Sequence, residues 1–163
     1  MLEALLTPQA VAVIGASRTA GKVGHELVAN LIDSRYSGAI VPINPSAEEV
    51  LGLKCYPDLK TYGKKIDLSI ISVPTPLVKL SVEASIAAGA GAIVTITAGF
   101  KEVGEEGAAL EKELAAMCRS RGVSLLGPNC LGLINTHHSM NASFAKQMPQ
   151  PGGISVISQS GAL

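Results

Sequence analysis

One stretch of the sequence gathers groups suited to holding an anion. Gly15-Ala16-Ser17-Arg18-Thr19-Ala20-Gly21-Lys22-Val23-Gly24 follows the short apolar run Ala10–Ile14. It leads into a segment where Val23, Leu27, Val28, Leu31 and Ile32 recur at helical spacing. A glycine-rich turn that opens a helix leaves backbone N–H groups without intrahelical partners, and a phosphate can accept from them. Ser17 adds a hydroxyl, and Arg18 and Lys22 add positive charge for charge-assisted bonds. The plainer alternative is that Gly15 and its neighbours form only a tight strand-to-helix turn.

The loop departs from an ordinary dinucleotide site in two ways. Its spacing is not GxGxxG, because position 17 is Ser and the next glycines stand at 21 and 24. An NAD site also expects Asp or Glu at the end of the second strand, to hold the ribose hydroxyls. Here that strand ends Pro42-Ile43-Asn44-Pro45, with no carboxylate before Glu48. A carboxylate there would repel a nucleotide with an extra phosphate on its ribose. Coenzyme A carries a 3′-phosphate, and its pyrophosphate suits the loop.

Other reactive residue types read more simply. His25 falls on the first long helix and is expected to be packed or solvated; His137 and His138 are expected in an exposed loop. Cys130 has no paired base in its sequence context and reads as a small packing residue, as do Cys55 and Cys118. No CxxC and no Cys/His ligand spacing occurs, so no metal site is expected and the thiols read as reduced. Glu102, Glu105, Glu106 and Glu111 read as a solvated helix face.

The elements that must position these groups alternate. Strands are expected at Ala10–Ile14, Ala39–Ile43, Leu68–Val73, Ala92–Ile96 and Val123–Leu126, with a short extra strand at Leu53–Tyr56. Pro42 tells against ladder pairing where it stands. Thr75 is expected to cap a helix that has Pro76 at its first position and runs to about Gly89; another helix spans roughly Glu105 to Arg121. This order implies an α/β, Rossmann-like, doubly wound and mainly parallel sheet with helices on both faces. Residues 1–134 would form that domain, and 135–153 a connecting loop. Residues 154–163 would be the truncated first strand of a second, flavodoxin-like ligase domain.

Composition narrows the partners. Hydrophobic residues make up 47% and aromatics 3%, so the core must be aliphatic. Thirteen basic residues balance thirteen acidic ones, which tells against a nucleic-acid-binding surface. No apolar run approaches the roughly 20 residues of a membrane span, and a cytoplasmic protein is expected.

Four further segments sharpen the reading: Ser72–Pro76, Ile96–Phe100, Gly127–Gly132 and Ser158–Leu163. With the Gly15 loop they resemble the succinyl-CoA synthetase α-subunit superfamily and, more closely, the ADP-forming acetyl-CoA synthetases, over essentially the whole chain. The resemblance implies a CoA-binding domain of an NDP-forming acyl-CoA synthetase, inactive alone. CoA or acyl-CoA would be its ligand, and further ligase domains or an ATP-grasp subunit its partners. It implies that Gly15, Ser17, Arg18, Gly21, Lys22, Val23 and Gly24 hold the CoA phosphates. Asn44, Pro45, Val73 and Pro74 would line the nucleotide end, Ala98 and Gly99 would border the adenine or ribose, and Asn129 and Cys130 would follow the pantetheine arm. The phosphorylated histidine of that family matches no histidine here. A free-standing or acetyltransferase-fused CoA-binding module, and an NAD(P)-dependent oxidoreductase, stay open as alternatives.

Overall fold

The computed structural model describes residues 2–153. A short helix α1 (Glu3–Leu6) precedes β1 (Ala10–Ile14), α2 (Val23–Asp33) and β2 (Ala39–Ile43). A two-residue hairpin follows, β3 (Glu49–Val50) and β4 (Leu53–Lys54), then the single turn α3 (Leu59–Tyr62). The chain continues through β5 (Leu68–Ile71), α4 (Thr75–Ala87), β6 (Ala92–Thr95), α5 (Glu105–Ser120) and β7 (Ser124–Leu126). It closes with β8 (Gly132–Asn135) and β9 (Met140–Ser143).

Five strands make one parallel sheet in the order β2-β1-β5-β6-β7. The direction of winding reverses between β1 and β5, and the loops there must part and leave a crevice. Period-2 alternation divides the core between two layers. Val11 and Val13 pack with Leu27, Val28 and Leu31 of α2. Ala12 and Ile14 pack on the opposite face with Leu59, Val78, Val82 and Leu114, from α3, α4 and α5. The expected doubly wound α/β architecture is what the chain forms.

Three local expectations need correction. Pro42 keeps register with Val13 instead of interrupting the ladder. β2 is an edge strand, and the Pro42 carbonyl accepts from the Tyr56 amide at 3.0 Å on its outer side. The missing N–H faces that same side, so β1 loses nothing. Thr75 does not cap α4: Pro74 stands at the N-cap, and the Thr75 hydroxyl donates instead to the Ala98 carbonyl at 2.9 Å.

The third correction concerns the segment from Asn135, which is not loop throughout. β8 and β9 pair antiparallel, and all of β9 is buried. Among the described residues only one long helix lies on the α2 face, so the apolar side chains of β6 there need another cover. Met140 and Ala142 join that cluster with Ala92 and Val94. Asn30 of α2 fastens the hairpin, donating to the carbonyls of Ser143 at 2.7 Å and Ala145 at 2.9 Å. His138 is correspondingly not a free loop residue. Its ring meets Tyr36 edge-on at 5.7 Å, and its Nε2 lies 3.0 Å from the Pro8 carbonyl. His137 is exposed, as expected. The expected strand after residue 153 lies outside the described residues.

Candidate functional site

A cleft of ≈ 690 Å³ opens at the carboxyl ends of β1, β2 and β5, within the range that small-molecule sites occupy. One wall is the β1–α2 loop, with Gly15, Ser17, Lys22, Val23 and Gly24. Asn44 and Pro45 come from the end of β2, and Val73 and Pro74 from the end of β5. The opposite wall is built by Asp58 and Leu59 of the α3 turn and by Leu77 and Leu80 of α4.

Two glycines make the crevice possible. A Cβ on Gly15, whose φ is 90°, would stand 2.6 Å from the Ser72 carbonyl oxygen. A Cβ on Gly24 would collide with the Gly15 carbonyl oxygen. Without side chains at both positions, the start of α2 seats directly on the turn that leaves β1.

Some of the loop amides are committed within the protein and others are left for a ligand. Gly15 and Ala16 donate to the Ile43 carbonyl, Thr19 to the Ser17 hydroxyl oxygen, and Gly21 to the Glu26 carboxylate at 2.9 Å. The amides of Ser17, Arg18, Ala20, Val23 and Gly24 donate to nothing among the described residues. Val23 and Gly24 are first-turn amides, where the helix dipole also favours negative charge. His25 lies at the same helix start, with Nδ1 3.1 Å from the Ser17 carbonyl oxygen. That nitrogen must carry the proton, so His25 braces the loop. Arg18 and Gly21 are exposed and border neither this cleft nor the next one.

A second cavity of ≈ 410 Å³ shares Val23 and Ser72 with the first, so the two adjoin across those residues. Ala98, Asn129 and Cys130 line it, together with Leu131 and Phe144. Here the loops are tied to one another. The Thr97 hydroxyl donates to the Val73 carbonyl at 2.7 Å, and the Asn129 amide to the Thr97 carbonyl at 3.0 Å. Gly99 lies outside this cavity, and its amide donates to the Glu102 carboxylate at 2.6 Å. Glu102 is thus a loop latch as well as a surface residue. Its carboxyl is held below the usual range chiefly by that bond. Cys130 Sγ lies 3.4 Å from the Thr95 carbonyl, and burial pushes its thiol pKa up. Such a thiol is a poor nucleophile.

The "CoA binding domain" family matches residues 9–136 of this chain. The chain belongs to that family. The CoA-binding domain is 47% identical over 161 residues to an ADP-forming acetate–CoA ligase of Archaeoglobus fulgidus, covering 99% of this chain and 23% of that protein. It is 42% identical over 163 residues to the α subunit of an ADP-forming acetate–CoA ligase of Pyrococcus furiosus, covering 100% of this chain and 35% of that subunit. A solved dinucleotide-forming acetyl-coenzyme A synthetase of Ca. Korarchaeum cryptofilum, in complex with phosphate and ADP, superposes with a TM-score of 0.84 at 41% identity. That match covers 88% of this chain and 31% of the solved one. The chain therefore spans between about a quarter and about a third of these relatives.

Within the CoA-binding domain the described residues include no group of His, Cys, Asp and Glu able to hold a metal ion. No described helix is long and apolar enough to cross a membrane. Sequence reasoning missed the far wall of the cleft. Leu77, Leu80 and Ala84 follow one helical stripe, while Val78, Val82 and Ser85 follow the buried one. Apolar residues on two faces of α4 were the available signal, because a helix that only covers a sheet needs one.

Proposed function

We propose that this chain is the CoA-holding part of a larger ADP-forming acid–CoA ligase. The parent enzyme interconverts acyl-CoA, ADP and phosphate with the free acid, CoA and ATP. CoA lies along the carboxyl edge of the sheet. Its phosphates meet the unpaired amides of Ser17, Arg18, Ala20, Val23 and Gly24, with Lys22, Arg18 and the Ser17 hydroxyl supplying further donors. Its adenosine enters the larger cleft beside Asn44, Pro45, Val73 and Pro74. Its pantetheine arm passes between Val23 and Ser72 into the second cavity, past Ala98 and Asn129 toward Cys130. Gly15, Gly21 and Gly99 shape the backbone of these loops.

The observation that carries this reading is the set of free amides at the start of α2, with Ser17, Val23 and Gly24 on the wall of a cleft that adjoins a second, smaller one. A bent ligand with a polyanionic head and a slender arm fits that shape. A dehydrogenase would need a carboxylate at the end of β2, and Asn44 stands there with its amide donating to the Ala16 carbonyl at 2.6 Å. Chemistry on the thioester falls to other parts of the enzyme, because this site pairs no nucleophile with a base. The three free thiols suit a reducing cytosol.

Calorimetric titration of the purified, folded protein with CoA tests the proposal. CoA is expected to bind, and to raise the melting temperature more than NAD or NADP does. A folded protein that gives no heat with CoA, or a larger shift with NAD, would overturn it.

A further inference from the structure

Six polar side chains line the larger cleft: Ser17, Lys22, Asn44, Asp58, Ser72 and Ser81. Most are committed to the protein. Asn44 donates to the Ala16 carbonyl and accepts from the Ser46 amide at 2.8 Å. Ser72 and Ser81 donate their hydroxyl protons to the carbonyls of Ile14 and Leu77. Ser17 accepts from the Thr19 amide, which leaves its proton available. Lys22 makes no ion pair among the described residues. The α2 wall therefore presents donors and positive charge.

The opposite wall carries Asp58, the one anionic side chain in the cleft among the described residues, together with Pro57, Leu59, Leu77 and Leu80. Its carboxylate caps α3, with Oδ1 accepting from the Thr61 amide at 2.6 Å. That bond fixes its orientation. The Thr61 amide, the Thr61 side chain and Lys60 hold the carboxyl below the ordinary Asp range against slight desolvation. A carboxylate offers about four lone-pair positions, so the Thr61 contacts leave acceptor capacity over.

A cleft with a cation and free amides on one wall and a carboxylate on the other orients its ligand. Phosphates are repelled from the Asp58 side, which is left for a neutral end that donates N–H. The neighbouring apolar side chains give that end flat surface to pack on. We propose that Asp58 is a specificity-determining residue that accepts from the exocyclic amine of the adenine ring, selecting an adenine nucleotide over a 6-oxopurine one. This rests on the CoA reading above. A 6-oxopurine would set a carbonyl oxygen against the carboxylate, acceptor against acceptor.

The test compares CoA with its hypoxanthine counterpart, by calorimetry on the purified protein. The wild type is expected to bind CoA about fivefold to tenfold tighter, below the usual range for hydrogen bonds to charged groups because Asp58 is exposed. Asp58→Asn keeps a strong N-cap but turns an acceptor into a donor, and is expected to erase or invert the preference. Asp58→Ser also keeps a cap, and is expected to bind both ligands alike. Melting curves show that each variant is folded. Equal binding of both ligands by the wild type would overturn the assignment to Asp58 while leaving the CoA reading intact. So would a preference that survives in both variants. No binding of CoA by the wild type would overturn the CoA reading itself.

Discussion

Between Ser17 and Gly24 five backbone amides donate to nothing in the described protein, whereas the loops after β6 and β7, which also keep free amides, are tied to one another and to the loop after β5 by four hydrogen bonds. Thr97 holds Val73, Thr75 holds Ala98, Asn129 holds Thr97, and Glu102 holds Gly99. Both regions sit at the carboxyl edge of the same sheet, yet their chemistry differs. Groups hydrogen-bonded only to water can exchange that water for phosphate oxygens with a net gain from charge. Groups already paired have little left to offer a ligand except shape and apolar surface. On the CoA reading proposed above, the first region would grip the phosphates and the second would guide the arm.

The largest effect should come from closing the first region. Gly24→Val sets a branched side chain against the Gly15 carbonyl oxygen, which is backbone and cannot swing aside. The expected outcome is a loss of CoA affinity beyond about 100-fold, with destabilisation of a few kcal/mol, the range of overpacked and strained sites. Gly21→Ala is the matched control. Its Cβ meets open space, and only the φ of 81° is unfavourable. That change should cost about 1 kcal/mol and weaken CoA only a few-fold. Calorimetry and thermal unfolding of both variants check this, and similar effects at the two positions would remove the special standing of the Gly15–Gly24 contact.

A middle-sized effect separates the regions directly. Lys22→Ala removes an exposed charge and should weaken CoA about tenfold while leaving the melting temperature nearly unchanged. Thr97→Val removes the donor to the Val73 carbonyl and should destabilise by about 1 kcal/mol, with CoA affinity within threefold of wild type. The same two measurements on both proteins decide it. A reversed pattern, stability lost at Lys22 and affinity at Thr97, would break the division.

This division was only partly legible in the sequence. The strands could be read because apolar runs such as Ala10–Ile14 and Ala92–Thr95 alternate with helical spacing, and that pattern is local. The Gly15 loop could be read because glycines, a serine and two cations crowd ten residues. What escaped depends on distant partners. Pro42 is tolerated because β2 is an edge, and edge position is a property of the whole sheet. Met140–Ser143 reads as polar loop, yet β9 is buried because, among the described residues, the α2 face has no second long helix to cover it. Thr75 looks like a cap until Ala98, 23 residues on, claims its hydroxyl. Asp58 and Leu77 join the cleft only after α3 and α4 fold onto the opposite face from α2.

The smallest effect concerns Cys130, and it tests whether the second region is chemically inert. Burial raises the thiol pKa, opposed by a weaker bond from the Gly132 amide. Only the thiolate reacts with alkylating agents, so modification should be slower than for a free cysteine near pH 8, and should speed up as pH rises beyond the ordinary thiol value of about 8.5. The same shift has a consequence for folding. Stability contributed by the neutral thiol is fully present below the unfolded-state pKa, and is lost as pH rises through the folded-state value. Peptide mapping by mass spectrometry after timed iodoacetamide treatment reads Cys130 separately from the buried Cys55 and Cys118. Added CoA should slow the reaction further, because the arm of the ligand would lie over Leu131 and Phe144 beside the sulfur. Cys130→Ser should change CoA affinity less than about twofold. Rapid alkylation at pH 7 would mean an activated thiolate, and the second region would then be a reactive surface rather than a guide.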